Sequence, residues 1–103
     1  MSPTEFQAIA KNWEHQRTQL NLAIYLGGVE QSSIHAQLNG HVIRSQGNVF
    51  TVADKQNTLQ IILEGCKFSY LHPNDEFPAF VNPIKIECIS GEICLILPEK
   101  FIN

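Results

Sequence analysis

Cys66, Cys88 and Cys94, the four histidines and the adjoining Asp75 and Glu76 are the first side chains to weigh for chemistry. A thiolate is a nucleophile or a metal ligand, but no C-x-x-C spacing supports a zinc site. Cys88 and Cys94 sit on the two arms of an expected hairpin. A turn at Gly91-Glu92 puts them on opposite faces of the sheet, which forbids a disulfide between them. All three thiols therefore read as packing residues. His15, His35, His41 and His72 are spread over helix, strands and loop. His35 and His41 fall on neighbouring strands, and His41 and Asp54 flank one strand pair. An imidazole beside a carboxylate can carry a proton or hold a metal, yet none of these spacings is a known motif. Asp75 and Glu76 have the chemistry of an acid–base pair but read as solvated loop charges. There is no G-x-S-x-G elbow, no P-loop and no G-x-G-x-x-G, and Gly27-Gly28 has no helix after it to cradle a phosphate. The expectation is no catalytic residue, no metal and no cofactor. The catalytic or ligand-binding alternative is a pocket under the Pro-rich segment 72–83, using His72 and Asp75.

The elements that must position these groups begin with a helix. Ser2-Pro3-Thr4-Glu5 reads as a capping box with Pro at the first helical position. Phe6, Ile9, Ala10 and Trp13 then make one apolar stripe, which predicts a helix from Pro3 to about Thr18. At Leu20 the period changes to alternation: Leu20, Leu22, Ile24 and Leu26 share one face of a strand. Ile34, Ala36 and Leu38 alternate likewise; Asn39-Gly40 is a hairpin turn signal, but the preferred reading is that the strand bends at Gly40 and continues into Val42 and Ile43. Strands follow at 49–53 and from Leu59 through Leu63, the latter kinking at Gly65 into Phe68 and Tyr70. The predicted core is Leu22, Ile24, Leu38, Val52, Ile61, Leu63, Ile86 and Leu95.

The last element is a hairpin. A type II′ turn at Gly91-Glu92 would pair Ile86 with Leu97 and Cys88 with Leu95. That register turns Ile89, Cys94 and Ile96 to the other, also largely apolar, face. These three are the candidate interface residues, covered by the helix, the 72–83 loop or a second copy.

The chain has 103 residues, which fits one domain spanning 1–103. Charged residues are only 17% and hydrophobic residues 44%, a surface that gains from burial against another copy. The net charge of −3 and scattered Lys and Arg argue against a strong phosphate-binding face. No basic-then-apolar leader opens the chain, and no run approaches the roughly 18 apolar residues of a membrane span. With an odd number of cysteines, the expectation is a cytoplasmic protein with reduced thiols and no membrane partner.

A capped helix followed by short, strongly bent strands resembles the Sm-like small-barrel fold, over Ser2 to about Pro73. The turn Arg44-Ser45-Gln46-Gly47-Asn48 offers Asn48 for that family's first motif, without its Asp. Glu64-Gly65-Cys66-Lys67 offers Gly65 and Lys67 for the second. The resemblance implies uridine-rich RNA as a partner held by Asn48, Gly65 and Lys67. The expected fold is thus all-β, a strongly bent five- to six-stranded barrel or open sheet with an N-terminal helix. The expected function is a non-enzymatic binding or assembly module acting as a homo-oligomer, with Sm-like RNA binding as the alternative.

Overall fold

Ser2 starts the first element: its Oγ accepts the Glu5 N–H at 3.1 Å and its carbonyl accepts the Phe6 N–H at 3.0 Å. Pro3 at the first helical position has no N–H to leave unpaired. The structure, a computed structural model, describes residues 1–26, 34–71 and 82–99. Helix α1 (Pro3–Gln16) ends where Arg17 turns left-handed at φ 54°. The Arg17 N–H then reaches Glu14 O and the Thr18 N–H reaches Trp13 O, a Schellman closure without its usual glycine.

Among the described residues seven strands follow: β1 (Leu20–Leu26), β2 (Ile34–Gln46), β3 (Val49–Ala53), β4 (Thr58–Ile62), β5 (Lys67–Tyr70), β6 (Ile84–Glu87) and β7 (Glu92–Pro98). All pairs are antiparallel, in the order β4-β3-β2-β1-β7-β6-β5. This is one to two strands more than the sequence predicts. The stretch read as one kinked strand is two, because Gly65 adopts φ +75° and the Cys66 N–H closes a turn onto Leu63 O at 3.1 Å.

Among the described residues the sheet is open, with β4 and β5 as its edges. Those edges are nevertheless joined by only four residues, 63–66. A flat seven-stranded sheet would hold its edges about 29 Å apart, while the five steps from Ile62 to Lys67 reach at most about 18 Å. The sheet must therefore curl. Its main corner is Gly40, inside β2: residues before it pair with β1 and residues after it pair with β3. A Cβ at Gly40 would lie 2.2 Å from the Ala53 carbonyl oxygen, so only glycine lets β3 approach there. Beyond the corner, Ile43 is an extra residue between Val42 and Arg44 in the register. This bulge exposes Ile43 and turns Ser45 inward.

The helix lies on β2 and touches β5. Phe6 enters the concave side and meets Phe50 of β3 at 5.3 Å, edge to face, and Phe68 of β5 at 4.8 Å, stacked. Gln7 ties the helix to the β2–β3 turn, donating to Gly47 O and accepting from Ser45 Oγ at 3.1 Å. Leu22, Leu38, Val52, Ile61, Leu63 and Ile86 are buried as predicted, whereas Ile24 and Leu95 are only half-buried.

The final hairpin departs from its predicted register. Ile84 faces Ile96 and Ile86 faces Cys94. The connection is a three-residue loop, 89–91: the Gly91 N–H bonds Cys88 O at 3.0 Å, and Gly91 takes φ +94° before the Cys88 N–H meets Glu92 O at 2.8 Å. This is a type I turn with a glycine bulge. The odd change in register moves every β7 side chain to the other face. Cys94 and Ile96 are therefore core residues, 1% and 0% exposed, and not interface residues. Cys88 and Cys94 share one face and do not oppose each other through the sheet.

Candidate functional site

The open seam gathers the features that core packing leaves over. Beside β4 and the β6–β7 hairpin lies an apolar cavity of about 470 Å³, lined among others by Ile24, Leu59, Ile61, Cys88 and Cys94. Ile62 and Ile89 stand at the same cavity and are 56% and 83% exposed. Ile89 reaches over the β4–β5 turn, its Cδ1 3.0 Å from where a Gly65 Cβ would be. Tyr70, on the other edge strand, is 53% exposed. The two strands that form the sheet's edges among the described residues thus carry large exposed apolar side chains.

The three thiols converge near this seam. Cys66 donates to Ile62 O at 3.3 Å. Burial pushes the Cys88 thiol up to about 11, with Cys66 beside it and Glu92 adding to the effect. Burial raises Cys94 further, to about 12, with a smaller contribution from Cys88. The neutral forms of Cys88 and Cys94 are thus favoured. Among the described residues, no three His, Cys, Asp or Glu side chains are placed to hold a metal ion.

The residues named for RNA lie at one end of the sheet. Asn48 is exposed in the β2–β3 turn, and its carbonyl accepts the Leu63 N–H at 2.7 Å. That bond brings the turn holding Gly65, and Lys67 just after it, to the same end as Asn48. His41 and Asp54 line a different feature, an open cleft of about 990 Å³ that also has Glu14, Arg17, Lys55, Val42 and Ile43 on its walls. Asp54 is committed to its own turn: the N–H groups of Gln56 and Asn57 bond its carboxylate at 2.7 and 2.6 Å and hold its pKa below the usual value. His72, Asp75 and Glu76 lie outside the described residues, as does most of the 72–83 loop.

Sequence reasoning missed the β4 and β5 edges and the meeting of Cys66 with Cys88. The signal is Gly65: the sequence pattern makes it a kink within a strand, whereas as a left-handed turn it separates the two edges and sets Cys66 just before β5. No family model, curated protein or solved structure matches the chain. Among the described residues, no helix is long and apolar enough to cross a membrane.

Proposed function

We propose that this chain is a non-enzymatic assembly module in which β4 of one copy pairs with β5 of the next. One observation carries the reading: the two edges left unpaired among the described residues are different strands of similar length, and each bears a large exposed apolar residue, Ile62 or Tyr70. An unpaired edge is a template for another strand. Two unlike edges make the contact head-to-tail, which closes into a ring when the rotation allows. Ile89, at the seam, packs beside the joint. A small curled sheet repeated in a ring also keeps the Sm-like architecture within this proposal.

Light scattering tests it. Wild type elutes as several copies, while Ile62→Glu and Tyr70→Glu each elute as folded monomers. An equimolar mixture of the two variants stops at two copies, because only one intact edge of each kind remains. A monomeric wild type, or variants that keep the wild-type mass, would overturn the reading.

A second reading, binding of uridine-rich RNA, has one observation in its favour. The bond between Asn48 O and the Leu63 N–H supports Asn48, Gly65 and Lys67 acting at one end of the sheet. Fluorescence anisotropy with labelled oligouridine checks it: binding should weaken with added salt and fall in Lys67→Ala. No binding at low salt removes it.

A further inference from the structure

The β5–β6 ladder ends at Lys67 and Glu87, and the next opposed positions in its register are Cys66 and Cys88. The phase of the ladder is known from its other end, where the Leu71 N–H donates to Pro83 O at 2.9 Å. Antiparallel positions alternate, so 69/85 and 67/87 exchange hydrogen bonds, and 70/84, 68/86 and 66/88 do not. The cysteines' own N–H groups agree, that of Cys66 bonding Leu63 O at 3.1 Å and that of Cys88 bonding Glu92 O at 2.8 Å. Opposed residues at such a position stand about 4.5 Å apart at Cα with side chains on one face. That spacing lies within the roughly 4.4–6.8 Å a disulfide requires. Both thiols are free and half-buried at the rim of the concave face, within reach of a small reagent. Cys94 is also free but sealed in the core.

We propose that Cys66 and Cys88 are a reversible disulfide pair, a modification site for small-molecule disulfides of the glutathione class. The Cys66 thiolate attacks one sulfur of oxidised glutathione. A mixed disulfide forms on Cys66, and one glutathione thiolate leaves and takes up a proton. The Cys88 thiolate then attacks the Cys66 sulfur, joining the two residues and releasing the second glutathione. The protein loses two electrons and two protons, and oxidised glutathione gains them as two molecules of glutathione. Burial of Cys88, which holds its proton to about pH 11, makes it the resolving rather than the attacking thiol. The new bond pins the β4–β5 turn to the hairpin at the cavity wall. It depends on the register alone and stands whether or not the chain assembles.

Peptide mapping after exposure to oxidised glutathione tests the pair. The folded protein should yield one cross-link, Cys66 to Cys88, with Cys94 free, whereas urea-unfolded protein should yield all three pairings. Cys88→Ser should stop at a glutathione adduct on Cys66, and Cys94→Ala should cross-link like wild type. Formation should quicken up to about tenfold per pH unit below the Cys88 value, since the thiolate is the nucleophile. Three unmodified thiols in the folded protein, or a cross-link through Cys94 or between chains, would overturn the proposal.

Discussion

Phe6 of the helix lies nearly parallel to Phe68 of β5, with ring centroids 4.8 Å apart and planes 17° from parallel. The same ring stands edge-on to Phe50 of β3. Phe6 thereby joins the parts of the sheet on either side of the open seam, where no backbone ladder among the described residues does. Phe6→Ala should cost about 3–5 kcal/mol, a large fraction of the stability of a chain this size. Phe6→Leu should cost markedly less, because it keeps most of the volume. Urea unfolding checks both: the midpoint falls in that order.

The three-residue hairpin loop makes opposite claims for Ile89 and Ile96. Ile96 faces Ile84 and is fully buried; Ile89 is exposed at the tip. Ile96→Glu buries an unpaired carboxylate and should destabilise by more than about 4 kcal/mol, enough to unfold the chain. Ile89→Glu should stay within about 0.5 kcal/mol in the separated monomer. Thermal melts by circular dichroism decide it. A folded Ile96→Glu protein would restore the two-residue turn.

The contrast between these two residues shows what was legible in the sequence. Helix α1 was readable because its cap, Pro3 and apolar stripe are all local. Strand β1 was readable because Leu20, Leu22 and Ile24 alternate with more polar neighbours. Strand β7 was not: Ile93, Leu95 and Leu97 on one face and Cys94 and Ile96 on the other are equally apolar, so the pattern could not choose a register. One additional loop residue chose it. The thiol pair was hidden for the same reason, since Cys66 and Cys88 meet only through the β5–β6 ladder. Gly40 was legible as a bend because strand alternation continued on both sides of it.

At that bend the backbone of β3 leaves no room for a side chain. Gly40→Ala places a methyl 2.2 Å from Ala53 O and 2.6 Å from Ala53 C, so the strand must move. The cost should reach about 3 kcal/mol or more. Gly91→Ala meets nothing within 4 Å and strains only the positive φ of 94°. It should cost about 1 kcal/mol. Chemical denaturation of the two variants side by side separates steric from conformational cost.

Arg17 holds a left-handed conformation at the end of α1, where glycine is the usual occupant. Its side chain is exposed, so little packing is lost on removing it. Arg17→Gly should stabilise the protein by about 0.5–1 kcal/mol, the strain relieved outweighing the added freedom of the unfolded chain. The melting temperature should rise by about 2–8 °C.

Alkaline pH should loosen the core through Cys94. Its pKa is raised from the ordinary 9.0 to about 12 by burial first and by Cys88 second. Between those values the unfolded chain has released the proton and the folded chain has kept it. The stability is therefore fully present below about pH 9 and declines as pH rises toward 12, by up to about 1.4 kcal/mol per unit for this thiol. Cys88, raised to about 11, adds a smaller slope over the lower part of the same window. Cys94→Ala removes the ionisable group, at the cost of some packing at neutral pH. Urea midpoints measured from pH 8 upward should fall less steeply for Cys94→Ala than for wild type. Parallel slopes would mean that Cys94 is not sealed in the core, and would reopen the register of β7.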